Sequence, residues 1–195
     1  MKKITFLLFS LLMLTFCWQS NAQFTESFDT EIPITWTVVD VDGGDTWVHN
    51  TAAPHAGAGN VRISWDSNAH EDYLITPQFT VTNGVTERIS FWAGISGTFF
   101  TETFDVKLST TGVAPADFTV TIASETASTD ATIGDYTQYS YDLSAYDGQA
   151  VYVAIVATDT DRFYLYVDEF VNDTQPTDTP DWYNIEWIAD NDNAT

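Results

Sequence analysis

Hydrophobic and polar residues alternate with period two along most of this chain. Ile89, Phe91, Ala93 and Ile95 alternate with Ser90, Trp92, Gly94 and Ser96, and Phe104, Val106 and Leu108 alternate with Asp105, Lys107 and Ser109. Phe118, Val120 and Ile122 repeat the pattern, as do Tyr139, Tyr141 and Leu143. Phe163, Leu165 and Val167 stand opposite Tyr164, Tyr166 and Asp168. Successive side chains of a strand point to opposite faces, so period two predicts half-buried strands. Residues 150–157 are apolar at both parities, which predicts a central strand. No stretch of ten or more residues carries a helical stripe, and Asn83-Gly84, Thr111-Gly112 and Asp147-Gly148 supply turns between the runs. About ten short strands in one all-β domain predict a β-sandwich, of jelly-roll type. A domain of roughly 150 residues buries about 70% of its unfolded surface, enough for a real core.

Both ends depart from this pattern. Lys2 and Lys3, an apolar stretch over 4–18 and Ser20-Asn21-Ala22 predict a secretory signal peptide over 1–22, cut after Ala22. The apolar stretch is short for a membrane span, so no insertion is expected after cleavage. Cys17, the single cysteine, leaves with it. The exported protein then has no disulfide, and bound metal is one candidate for the missing rigidity. The domain is placed at 23–171. The segment 172–181 is polar, contains proline and lacks basic residues, so it reads as a linker. The tail 182–195 holds a strand-like run with Trp182, Tyr183, Ile185, Trp187 and Ile188. A lone strand does not stand by itself in water. Either it pairs with the sandwich or it begins a further domain of a longer protein, which is the preferred expectation.

Charge narrows the partners. With 28 Asp+Glu against 6 Lys+Arg, the formal net charge is -22. An aromatic content of 15% argues for a folded chain, because disordered chains have too little apolar surface to offset ordering. Nucleic acid and anionic membranes both need a basic face and are excluded as partners. Cations are the natural counterpart. Asp40, Asp42 and Asp45 flank Gly43-Gly44 in DVDGGDTW, gathering three carboxylates on a tight loop. Calcium takes about six to eight oxygens, and glycines let a backbone bend around it. The loop is not an EF-hand, because no glutamate follows at the twelfth position. Its alternative is an acidic turn with solvated aspartates.

Catalytic motifs are missing from the sequence. His70-Glu71 begins like H-E-x-x-H, but Leu74 takes the second histidine's place. There is no G-x-S-x-G elbow and, once Cys17 is lost, no thiol nucleophile. The chain is read as non-enzymatic. His49, His55 and His70 are too scattered along the sequence to predict a site.

An ordered set of motifs resembles the cleaved-adhesin, or choice-of-anchor J, domain family, which includes the adhesin domains of gingipains and many exported proteins of Bacteroidetes. Glu26-Ser27-Phe28-Asp29 is similar to the family's opening strand, Ile32-Pro33 through Trp36 to its "L-P-x-x-W", and DVDGGDTW to its acidic loop. Ala56-Gly57, Asp72-Tyr73-Leu74-Ile75-Thr76-Pro77, Leu108-Ser109-Thr110-Thr111-Gly112 and Tyr166-Val167-Asp168-Glu169-Phe170 follow in order. The resemblance implies a calcium-bearing jelly roll whose first and last strands run side by side. It also implies that Asp29 and Asp168 are metal ligands, sharing a cation with Asp42 and Asp45. Asp29 stands where the family usually has a glutamate, and Glu169-Phe170 replaces its Asp-Val or Asp-Ile, which unsettles the ligand set. A capping role for Asp168, bonded to backbone amides, is the alternative.

Trp36 and Trp47 are read as core residues. Phe99 and Phe100, in the loop after Gly97, either stack on a ligand or fold back as a plug. The expected function is an exported calcium-binding adhesion module that docks an extracellular glycan or protein, located at the cell surface or secreted. A calcium-rigidified spacer, or an accessory domain of a hydrolase, is the alternative.

Overall fold

The structure, a computed structural model, describes residues 24–160 and 162–174. The expected signal peptide over 1–22, most of the expected linker over 172–181 and the tail 182–195 lie outside the described residues. The chain folds as two antiparallel sheets of six strands each. In the first, β10 (Thr137–Asp142), β7 (Arg88–Ile95), β12 (Tyr164–Asp173), β4 (Asn60–Ser64) and β3 (Val48–Asn50) lie in that order, and β1 (Phe24–Glu26) adds to β12. In the second the order is β2 (Thr37–Asp40), β5 (Asp72–Ile75), β11 (Ala150–Ala157), β8 (Glu102–Ser109) and β9 (Val120–Ala127), with β6 (Phe79–Thr80) against β11. The first and last strands do run side by side, with Phe24 opposite Asn172. Helical structure among the described residues is limited to three single 3-10 turns.

Alternation decides which residues form the core. Ile89, Phe91, Ala93 and Ile95 of β7 meet Phe104, Val106 and Leu108 of β8 across the sandwich, with Val151, Val153, Ile155 and Ala157 of β11. β11 sits between β5 and β8, which explains why both of its faces are apolar. Its other face joins Tyr73, Ile75 and Phe118 in a smaller cluster. Trp36 and Trp47 are both buried in the main core. Burying apolar surface contributes about 25 cal/mol per Å² removed from water, so these aromatic side chains dominate the fold's stability.

The structure differs from the alternation pattern in three places. Phe118 precedes β9, because a 3-10 turn over Pro115–Asp117 interrupts the run. Phe163 lies outside β12 on the surface, its backbone N–H held by Glu102 Oε1 at 2.6 Å. β12 continues through Asp173, past the expected linker start. Asn172 is fully buried and donates to the carbonyls of Thr86 and Arg88 at 3.0 and 2.9 Å. Arg88 then grips Asp173 through two bonds of 2.7 and 2.6 Å.

Strand register brings several loops to one end of the sandwich. Asp40 lies opposite Asp72, Asp72 opposite Ala157, and Ala157 opposite Phe104. In the other sheet Tyr164 lies opposite Ser64, and Leu165 opposite Ile95. Loops 41–47, 65–71 and 96–101 therefore open together with residues 158–160 and 162–163.

Candidate functional site

Asp168 sits in β12 where its pairing with β7 is interrupted. It is fully buried, and its Oδ2 accepts from the backbone N–H of His55 at 2.8 Å and Ala56 at 3.2 Å. Its Oδ1 accepts from the N–H of Glu169 at 2.7 Å. Burial pushes the carboxyl up to about 6, against the pull of these three donors. Asp29 reaches the same loop, 51–59: its Oδ1 accepts from Ala58 N–H and its Oδ2 from Ser27 Oγ at 3.0 Å. The Ala58 N–H first, and then the Ser27 hydroxyl, hold its carboxyl below the usual range.

The backbone here is tight. A Cβ at Gly57 would fall 2.0 Å from Asp29 Oδ1, and one at Gly59 would fall 2.4 Å from the Phe28 carbonyl. Among the described residues three that are not glycine take left-handed φ, and all flank this place: Phe28 at 52°, Ala53 at 54° and Glu169 at 51°. Such conformations cost on the order of 1–3 kcal/mol each and persist only where the surroundings impose them.

The acidic loop contributes elsewhere. Asp40 and Asp45 are exposed, Asp40 Oδ1 accepting from Gly43 N–H at 2.6 Å. The Asp45 backbone N–H donates to Asp66 Oδ2 at 2.9 Å. Only Asp42 turns inward, where it meets His70 and Asp72 with one ligand atom from each within 4.8 Å of the others. Burial, and then the neighbouring Asp72, push the Asp42 carboxyl up. The five expected ligands thus fall into separate places. His70 bonds to Ser64, which pairs with Tyr164, and Asp168 lies four positions further along β12. At about 3.3 Å per strand residue that is about 13 Å, too far for one ion to join Asp168 to Asp42.

His70 and Asp72 are candidate site residues that the spacing of motifs along the chain did not reveal. His70 Nδ1 lies 2.8 Å from Asp72 Oδ2, and its Nε2 lies 2.9 Å from the Ser64 carbonyl. Burial pulls the ring toward neutrality, but the Asp72 carboxylate and the Ser64 carbonyl outweigh it, so the imidazole is pushed up. The truncated H-E-x-x-H signal pointed at His70 but sought its partner four residues on. Its partners are Asp72, two residues on, and Asp42 from another loop.

Phe99 and Phe100 are both exposed, at 95% and 46%. Trp65 and Phe163 are also exposed, on the loops flanking theirs. Their sequence contexts offered no signal beyond an aromatic near a strand end. Beside them the Arg62 guanidinium lies 4.4 Å over the Tyr164 ring.

The sequence profile described as Cleaved Adhesin Domain matches residues 21–172. The chain belongs to this family. Hemagglutinin A of Porphyromonas gingivalis is 34% identical over 191 residues, covering 80% of this chain and 7% of the relative. This cleaved adhesin domain therefore spans less than a tenth of that relative's length. Among solved structures, the K1 cleaved adhesin domain of Lys-gingipain from Porphyromonas gingivalis W83 superposes with a TM-score of 0.67 at 26% identity, over 79% of this chain and 99% of that one. The C-terminal family 22 carbohydrate-binding module of Clostridium thermocellum Xyn10B shares the fold, with a TM-score of 0.52 at 17% identity over 81% of this chain and 98% of that one.

Proposed function

We propose that this cleaved adhesin domain is an exported, non-catalytic adhesion module that docks a glycan or protein through loops at one end of its sandwich. The observation that carries the reading is the gathering of Trp65, Phe99, Phe100 and Phe163, all exposed, on three loops at that end. Exposed aromatic rings offer large apolar faces at little ordering cost, suited to sugar rings and to protein surfaces. The fold likeness to carbohydrate-binding modules is compatible with a glycan ligand. The far greater length of the adhesin relatives supports placing the domain within a longer surface or secreted polypeptide.

Calcium belongs to this proposal at Asp29 and Asp168. A carboxylate oxygen accepts about two bonds. Asp168 Oδ1 has one donor, and the two Asp29 oxygens share three, from Ala58, Ser27 and Gly59, so each carboxylate keeps a position for a cation. The left-handed residues around them fit a backbone bent to turn carbonyls inward. Calcium there would supply positive charge and join β12, the β1–β2 connection and loop 51–59. That tie also suits a rigid spacer, which would need no ligand.

The test is a glycan and matrix-protein binding screen of the protein in millimolar calcium, repeated with Phe99→Ala/Phe100→Ala and with Trp65→Ala. Saturable binding, weakened at least about tenfold in the variants without loss of thermal stability, supports docking, since buried aromatic anchors dominate such interfaces. Absence of any saturable ligand leaves the spacer.

A further inference from the structure

We infer that Asp42, His70 and Asp72 form a second metal site, which takes a divalent ion of the zinc class and is separate from the calcium proposed at Asp29 and Asp168. The inference does not rest on the adhesion reading. Asp72 is fully buried and His70 is 7% exposed. Asp72 Oδ1 is enclosed with no hydrogen-bond donor among the described residues, and the Asp42 oxygens are enclosed with no donor there but the neighbouring Gly44 N–H. Burying a carboxylate oxygen without a partner is costly, and two carboxylates side by side repel as well. One oxygen from each carboxylate and one imidazole nitrogen lie within 4.8 Å of one another, a donor set that fits a cation.

The ring's setting favours a metal. A carbonyl only accepts, so at 2.9 Å from Ser64 O the Nε2 atom must carry a proton. That leaves Nδ1 facing Asp72 Oδ2 at 2.8 Å, a contact that takes either a second ring proton or a metal ion beside it. Histidines that ligate metals almost always donate their other N–H to a carbonyl or carboxylate, which fixes the tautomer. A divalent ion with two carboxylates and a neutral imidazole gives a neutral site; a proton on Nδ1 leaves one negative charge over. The donor set also distinguishes the ion. Calcium seeks about six to eight oxygens, whereas one imidazole nitrogen with carboxylates suits zinc and its neighbours.

The site would also act on the fold. Ser64 ends a strand of one sheet, and Asp72 begins a strand of the other. The Trp47 indole N–H, from the core beneath, donates to the Asp72 carbonyl at 3.0 Å. An ion here would clamp both sheets and the acidic loop together at the end that bears the exposed aromatics.

The test titrates the chelator-treated full chain with zinc by calorimetry, and with cobalt by visible absorbance. The expected result is one saturable site and a cobalt spectrum with nitrogen ligation. Affinity should fall about 100-fold in His70→Gln and in Asp42→Asn, as loss of a ligand demands, and stay unchanged in Asp29→Asn. Excess calcium should not displace the zinc. Asp42 lies on a surface loop, so Asp42→Asn decides the matter even if His70→Gln impairs folding. Absence of zinc binding, or equal affinity in the wild type and Asp42→Asn, overturns the site. His70 would then be an imidazolium counter-ion to Asp72, with both ring N–H protons visible by NMR.

Discussion

Oδ2 of Asp168 lies 2.8 Å from the backbone nitrogen of His55, so β12 holds the loop that leads into its neighbour β4. This one contact links residues 113 positions apart. It gives a carboxylate of the family's closing motif a visible structural task, as an acceptor for backbone amides.

Asp168 should make stability depend on both pH and calcium. Its folded carboxyl is raised from 3.8 to about 6, chiefly by burial. The folded state therefore binds more protons than the unfolded one between these values, and without metal its contribution is lost as pH rises through about 6. Calcium favours the ionised form, so its stabilisation should be larger at pH 7.5 than at pH 5. At a hundredfold excess over the dissociation constant, linkage adds about 2.7 kcal/mol. Thermal melts with calcium and with chelator should show the shift in the wild type and none in Asp168→Asn. An undiminished calcium response in that variant would remove Asp168 from the ligand set.

Glu102 offers a pH dependence of separate origin. Burial pushes its carboxyl up from 4.5 to about 7, partly opposed by the Phe163 N–H. The sign is the same: the contribution is present below the unfolded value and lost as pH rises through about 7. Glu102→Gln keeps an oxygen for Phe163 and cannot ionise. It should melt above the wild type at pH 8, with the gap closing toward pH 4.5, and urea unfolding should place it at about 1–3 kcal/mol. A constant gap across that range would refute the assignment.

Asn172 tests where the domain ends. Its amide donates to two carbonyls inside the fold. Asn172→Ala should cost about 2 kcal/mol by leaving these acceptors unpaired. Asn172→Asp should cost more, since it also buries a charge. Urea denaturation of the two variants gives the order directly, and equal stability to the wild type would return Asn172 to the linker.

Two glycines separate backbone strain from crowding. Gly57 has φ +62°, and a methyl group there would stand 2.0 Å from Asp29 Oδ1, whereas Gly84 has φ +73° and open space around it. Gly84→Ala should cost about 1–2 kcal/mol from left-handed strain alone. Gly57→Ala should cost more and should also weaken the calcium response, because it displaces the Asp29 carboxylate. Similar losses in both variants, with calcium response intact, would place Asp29 outside the metal site.

Local signals were legible wherever the physics is local. Residues 150–157 announced a central strand by being apolar at both parities, and they occupy the middle of a sheet. Phe99 and Phe100 could be placed on a loop from Gly97, and they are exposed there. The end of β12 was less legible: Asn172 and Asp173 look like linker residues until Thr86 and Arg88 supply their partners.

The sequence by itself determined the all-β class, most of the long strands and the family, because alternation and motif order are written along the chain. Only the tertiary structure decided how the acids are grouped. It drew Asp29 and Asp168 to loop 51–59, left Asp40 and Asp45 in solvent, and joined Asp42 to His70 and Asp72. It also brought Trp65 and Phe163 to the end that bears Phe99 and Phe100. The physical reason is register. Which side chains meet depends on how strands distant in sequence align across two sheets, and residue spacing within one loop does not encode that alignment.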